Sequence, residues 1–312
     1  MANDYDGLSI GDIISLDELT IQNRQVYNDS IIVVPTGNTA ADGSPEMKVV
    51  KTVEYMGSLG DYFQFIAEGK VPNKSFVYKF GRAEGVDAGD NEVVVGDIIN
   101  LVLPDANAGL SAVSSSAEDQ VGGGGATELT IIGLKDDGAG NWNEIVVVVP
   151  LTGITPVSIL DPNEMIRINR MFISKGEDRS IRGVKANHGL ITVTHAGTGQ
   201  PLSQIKINKG QTLQTMFTIP SGYTGYLWDA DTSTGKGSDV EGNFVSRGNI
   251  TGDEVARTRG ARDQFQGGSG QAWKIPLPYE EKTDLVFLAT TTVTGGASAN
   301  ISGTYQLELV KN

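Results

Sequence analysis

Short runs in which apolar and polar residues alternate recur along the chain, as in "KVVKTVEY" (48–55) and "FVYKF" (76–80). Alternation of period two is the signature of a strand with one face on a core and the other in water. It predicts strands at 30–36, 46–56, 62–69, 75–81 and 92–104. A denser second series follows at 127–134, 143–153, 155–160, 165–174, 189–197, 202–208, 212–220, 224–233, 272–278, 283–293 and 301–310. The separators "KDDGAGN", "NKGQ", "PSGY" and "TGGASAN" are rich in turn formers. Many short strands at this spacing, with scarcely a helical period between them, predict an all-β protein built on an antiparallel β-sandwich or jelly roll.

Two breaks in the pattern divide the chain. Residues 1–28 are irregular and fit either an extended arm or one short helix from Ser15 to Asn23, where Ser15 and Glu18 have the spacing of a capping box. At 111–126, "SAVSSSAEDQVGGGGA" has no periodic apolar positions, and four consecutive glycines give the backbone maximal freedom. The expected organisation is an arm (1–28), a smaller β-rich N-terminal domain that docks the protein (29–110), a Ser/Gly-rich linker (111–126) and a C-terminal sandwich (127–312). Within the last, 212–234 predicts two strands folded back on each other around Pro220-Ser221-Gly222, with Gly222 placed to take a positive φ.

Composition narrows the functional classes. A formal charge of −14, with 38 acidic against 24 basic residues, disfavours a phosphate-backbone partner, because counterion release needs Lys and Arg. The absence of cysteine excludes disulfides, thiolate metal sites and Cys nucleophiles. No stretch approaches the roughly 20 apolar residues of a membrane span, and the N-terminus lacks the features of a signal peptide.

Candidate chemistry is sparse. His188 and His195 lie an odd number of residues apart around a predicted strand, which sets them on opposite faces and argues against a joint metal site. There is no G-x-S-x-G elbow, and "VGGGGA" lacks the Lys-Ser/Thr of a phosphate loop. Carboxylates such as Glu144 and Glu164 are too numerous for any pair to stand out as a glycosidase. "DADTSTG" (229–235) offers Asp229 and Asp231 as weak Ca²⁺ ligands, but Thr234 stands where an EF-hand has glycine and Val240 where it has glutamate. No cofactor is implied. The remaining candidates are contact residues: the aromatics Tyr223, Tyr226, Trp228 and Trp273, and the basic group Arg257, Arg259 and Arg262, whose guanidinium forks suit carboxylates of an acidic protein or sugar.

From about Asn73 onward, "NKSFVYKFGRAEGVD" (73–87), "TELTIIGLKDDGAGNWNEIVVVVPLTGITPV" (127–157), "MIRINRMFIS" (165–174), "NHGLITVT" (187–194), "QTLQTMFTIPSGYTGYLW" (211–228) and "EKTDLVFLAT" (281–290) occur in that order. In these segments the chain resembles a family of virion structural proteins of marine tailed bacteriophages, the short-tailed cyanophages and pelagiphages. The resemblance implies a particle component with a β-sandwich core and no catalytic residues. The expected role is a capsid decoration or cement protein partnered by the major capsid protein or other virion proteins. A homo-oligomer, taken as a trimer from the symmetry of capsid positions, is expected with it. The alternative is a tail, neck or head-fibre component that recognises a host glycan or protein. The first 70 residues and the stretch 229–271 have no counterpart in the resemblance.

Overall fold

The computed structural model describes residues 29–39, 45–54, 59–86, 93–94, 96, 103–104, 106–177, 186–234, 240–247, 257–265, 268–291 and 299–312. Within these, residues 29–61, 93–94, 240–245, 247, 257–274 and 290–291 are described by their backbone alone. The chain divides into two compact units, Met1–Pro72 and Asn73–Asn312. The arm or helix expected over 1–28 lies outside the described residues.

In the first unit, β1 (Asp29–Thr39) and β2 (Pro45–Glu54) form an antiparallel ladder from Asp29↔Glu54 to Thr39↔Pro45. The strand predicted at 62–69 is instead part of a helix, α1 (Leu59–Ala67). Leu59, Tyr62, Phe63 and Ile66 recur at helical spacing, Ile66 is buried, and the rings of Tyr62 and Phe63 meet at 5.9 Å. Gln64 and Glu68, one turn apart, share a hydrogen bond of 2.7 Å. Gly69 ends the helix at φ +68°, with Lys70 N–H donating to Phe65 O and Gly69 N–H to Ile66 O, a Schellman closure.

The second unit runs through β3 (Lys74–Val86), β4 (Val93–Val94), β5 (Leu110–Ser114), β6 (Ala126–Asp136), β7 (Trp142–Pro150), β8 (Val157–Ile159), β9 (Arg167–Gly176), β10 (Ile191–His195) and β11 (Pro201–Ile205). It continues with β12 (Phe217–Thr218), β13 (Tyr223–Thr234), β14 (Val240–Arg247), β15 (Arg257–Phe265), β16 (Gly268–Tyr279), β17 (Asp284–Thr291) and β18 (Ala299–Lys311). The fold is all-β and antiparallel, as the alternation predicts.

Two sandwiches share this unit. In one, the sheet ordered β16-β13-β18-β3 and the sheet ordered β12-β17-β14-β15, extended by β4, enclose Phe217, Ile219, Leu227, Leu285, Phe287, Ile301, Tyr305 and Leu307. In the other, β7-β6-β9 and β11-β10-β5-β8 enclose Leu110, Leu129, Ile131, Val147, Met165, Met171, Ile191 and Ile205. Each such side chain, fully buried, contributes about 1.5–3 kcal/mol. The chain lays down β3 and β4 of the first sandwich, builds the second from β5 to β11, and returns to finish the first.

This order corrects the expected domain boundaries. β3 pairs with β18 from Lys74↔Val310 to Val86↔Ala299, so residues assigned to an N-terminal domain complete the C-terminal sheet. Residues 111–126 are not a linker, because Leu110–Ser114 is an inner strand paired with both β10 and β8. The carboxylate of Asp119, completely buried, organises the loop that follows. It accepts from Ser114 Oγ (2.5 Å), Ala126 N (2.9 Å), His188 N (2.8 Å) and Gly189 N (2.8 Å). The glycines serve close approach: a Cβ on Gly125 would lie 2.2 Å from Asp119 Oδ1, and one on Gly123 would lie 2.2 Å from Glu118 O.

The stretch 212–234 is not a hairpin either. β12 pairs with β17 and β13 with β16 and β18, so the two strands enter different sheets on either side of the turn. Residues 214–220 are buried without alternation, as a segment crossing the interior must be. Gly222 does take a positive φ, +78°.

Candidate contact surface on the four-stranded sheet

Along β3, Val77, Lys79, Gly81 and Ala83 face the core, so Phe76, Tyr78, Phe80 and Arg82 face outward. Their cross-strand neighbours on β18 are Glu308, Gln306, Thr304 and Ser302. On β13 the outward positions opposite these are Tyr226, Asp229, Asp231 and Ser233. Between Leu227 and Asp229 the register slips against both neighbours, making Trp228 the extra residue of a bulge on that face. The result is a plane of aromatic rings on two strands separated by a polar strand. Tyr78 is 63% exposed and Phe80 39%, while Tyr226 and Trp228 are half-buried.

Trp228 is held in place. Its Nε1–H donates to Glu308 Oε2 at 3.0 Å, and the ammonium of Lys74 sits 2.9 Å from Glu308 Oε1. Glu308, almost fully buried, thereby fixes the indole and the start of β3 together. Asp229 and Asp231 stand two apart on one strand face. Burial first, then the neighbouring Asp231, raises the Asp229 carboxyl above its ordinary value, against a lowering backbone bond from Gln306.

Some sequence candidates meet on this face and others do not. Tyr226, Trp228, Asp229 and Asp231 share it, whereas Tyr223 packs toward the core of the first sandwich. Asp229 and Asp231 lie within a strand that runs to Thr234, and no three His, Asp or Glu residues among the described residues form a metal-binding group. Arg257 and Arg262 lie on β15, opposite Ser246 and Gly242, and Arg259 falls beside that ladder's bulge. Trp273 lies within β16, between the pairs Ala272↔Asp229 and Leu277↔Leu227. His188 is exposed outside any strand, and His195 is buried at the end of β10, its Nδ1 accepting from Thr198 N at 3.2 Å. The sequence reading missed Phe76, Tyr78, Phe80 and Glu308, although the alternation in "SFVYKF" already places three aromatics on one face.

Beside β3 a groove of about 610 Å³ is lined by Tyr78, Lys79, Phe80, Ile132, Glu144, Arg170 and Gln211, among others. Lys79 reaches from the core side of β3 to donate to Asn169 O at 2.6 Å. Burial, reinforced by the positive charge of Arg170, pushes this ammonium down to about 7. Partial desolvation beside the groove raises the Glu144 carboxyl, although the residue keeps an exposed surface.

The lysine has a consequence for stability. Between about pH 7 and the usual lysine range the unfolded chain carries a proton that the folded chain has lost, so stability rises with pH through that window. In urea titrations from pH 6.5 to 9 the native midpoint should climb, and Lys79→Met should flatten the climb. Burial pushes the Tyr305 hydroxyl well above its ordinary value, so its opposing effect begins beyond that range. Equal slopes in both proteins would show that Lys79 stays charged.

No protein-family model matches the sequence, and no curated protein matches it. Solved structures share a loose overall likeness. One is the insecticidal delta-endotoxin Cry8Ea1 of Bacillus thuringiensis (7% identity, TM-score 0.19, 60% of this chain and 53% of the toxin). Others are the Gx strain structure of infectious bursal disease virus (9%, 0.20, 76% and 75%) and the PBSX exported protein XepA (9%, 0.16, 74% and 86%). The chain thus spans about half the length of the toxin it matches. No helix among the described residues is long and apolar enough to cross a membrane.

Proposed function

We propose that the chain is a non-enzymatic structural protein of a bacteriophage virion, a decoration or cement protein that seats on the capsid surface and associates with its own copies. The observation that carries this reading is the outward aromatic plane of Phe76, Tyr78, Phe80, Tyr226 and Trp228 on a paired sheet. Rigid aromatics on a pre-ordered backbone lose little entropy on docking and dominate protein interfaces. The resemblance of the segments from Asn73 onward supports the virion setting. Quantitative mass spectrometry of purified particles tests the role: a copy number matching a regular lattice position supports decoration, and absence from particles overturns it.

A second reading is favoured by the carboxylates on the same face. Tyr226, Trp228 and Tyr78 beside Asp229, Asp231 and Gln306 combine stacking surfaces with hydrogen-bonding groups, the pairing a sugar ring needs. A few copies per particle together with specific retention on a glycan array would favour this fibre or tail role.

Tyr78→Ala should leave the unfolding free energy within about 0.5 kcal/mol of native, because the ring is exposed. The same change should weaken binding of the full chain to its particle by about tenfold or more. Unchanged particle binding would place the contact surface elsewhere.

A further inference from the structure

The three-stranded sheet β7-β6-β9 ends on β7, which pairs only with β6 among the described residues. That ladder runs from Glu128↔Pro150 to Asp136↔Trp142 without a single bulge. Edge strands are ordinarily blunted by lysines, bulges or an overlying element. Here the strand reads "WNEIVVVVP", with Val146 60% and Val148 54% exposed.

The directions of its backbone groups follow from its ends. Trp142 turns away from β6: its N–H donates to Ser221 Oγ at 2.7 Å and its carbonyl accepts from Ser221 N at 3.0 Å. Leu151, of opposite parity, donates instead to Thr127 O on the β6 side at 2.9 Å. Alternation along an antiparallel ladder then points the N–H and C=O of Glu144, Val146 and Val148 out of the sheet edge. Pro150 has the same parity and no N–H. The open window is bounded by Ser221 at Trp142 and by Pro150 at the far end, and its midpoint is Val146.

We infer that this edge is a self-pairing interface, on which the β7 strand of a second copy adds antiparallel about a two-fold axis through Val146. In that register Val146 faces Val146 and Glu144 faces Val148, giving about six backbone hydrogen bonds. The two Glu144 carboxylates, the only charges on the strand, never oppose each other. The outward valines continue the rows Val146–Ile132–Arg170 and Val148–Thr130–Phe172 across the axis. Such an isologous contact closes at two chains, whereas a trimer needs a heterologous one. The inference rests on the β7 backbone and stands apart from the virion reading.

Sedimentation equilibrium of the full chain and of Val146→Pro, which removes the central outward N–H, tests it. The native chain is expected at the mass of two chains and the variant at the mass of one. Because the chain has no cysteine, Val146→Cys and the control Ile275→Cys, on another exposed strand position, isolate the geometry. A short bis-maleimide should join Val146→Cys chains at least tenfold faster than Ile275→Cys chains. Glu144→Cys and Val148→Cys chains should cross-link when mixed. A native mass of one or three chains, a two-chain Val146→Pro, or equal cross-linking at 146 and 275 overturns the inference. If Val146→Pro fails to fold, the native mass and the cysteine pairs decide.

Discussion

Asp284→Asn should lower the unfolding free energy by about 3–5 kcal/mol, the scale for removing one partner of a buried ion pair. Arg167 is 1% exposed, and its guanidinium grips Asp284 with two parallel bonds, Nε to Oδ1 at 2.9 Å and Nη2 to Oδ2 at 3.0 Å. Nη1 donates to the carbonyls of Pro104 and Ile166, and the guanidinium lies 4.9 Å from the centroid of the Trp142 ring. On the acid side, Thr218 Oγ1 donates to Asp284 Oδ1 at 2.6 Å. Thr218 in turn exchanges backbone bonds with the Asn169 side chain, Thr218 N to Oδ1 at 2.8 Å and Nδ2 to Thr218 O at 3.0 Å.

The network joins β9 of one sandwich to β12 and β17 of the other, so its loss weakens the contact between the two halves of the unit. Urea unfolding followed by tryptophan fluorescence measures the loss. The double variant Arg167→Met with Asp284→Leu separates the charge from the packing: it should recover most of the stability, since well-packed apolar substitutes for a buried pair are often neutral. A single-variant loss below about 1 kcal/mol would mean that water reaches the pair in solution.

The strands and their antiparallel class were legible because alternation is a local property. "SGTYQLEL" sorts its side chains between two faces without reference to the rest of the chain, whereas "FVYKF" shows the period but not which face is inward, since Lys79 is buried and Tyr78 and Phe80 are exposed. What was hidden is non-local. Nothing near Lys74 says that it will pair with Val310, and nothing near Phe217 says that its partner is Leu285 rather than the strand just beyond the turn. The helix over Leu59–Ala67 was misread because a short apolar run fits both periods, and the strand expected at 62–69 takes in the Schellman glycine, Gly69, as its last residue.

The contact face was half legible for the same reason. Tyr226 and Trp228 stand out as aromatics after a turn, while Phe76, Tyr78 and Phe80 join them only through β18, which lies between the two strands in space and more than 200 positions from β3 in sequence. Charged residues were the least legible of all. Arg167 and Asn169 occupy positions in "MIRINRM" that alternation assigns to solvent, yet both are buried, because each finds its partner on another strand.

The Ser/Gly-rich segment gives the sharpest division between the two readings. Were residues 111–126 a solvated link, Asp119→Ala would change stability by no more than about 0.5 kcal/mol. The structure makes that carboxylate the acceptor for a hydroxyl and three backbone N–H groups, the bonds from Ser114, Ala126 and Gly189 buried and that from His188 partly so, and removing it strands the buried donors. The expected loss is about 3–5 kcal/mol, since each buried donor left without an acceptor costs about 1–3 kcal/mol. Asp119→Asn should recover only part of it, since an amide must turn its NH₂ toward a set made of donors. Gly125→Ala attacks the same centre from the other side, because its new Cβ would lie only 2.2 Å from Asp119 Oδ1. Hydrogen exchange gives a local readout: the Ala126, His188 and Gly189 amides should be among the protected ones in the native chain and exchange faster in Asp119→Ala than amides of the first sandwich, such as Phe287. Uniform acceleration across both sandwiches would mean that Asp119 supports the whole unit, and no acceleration would return the segment to the linker that its composition suggests.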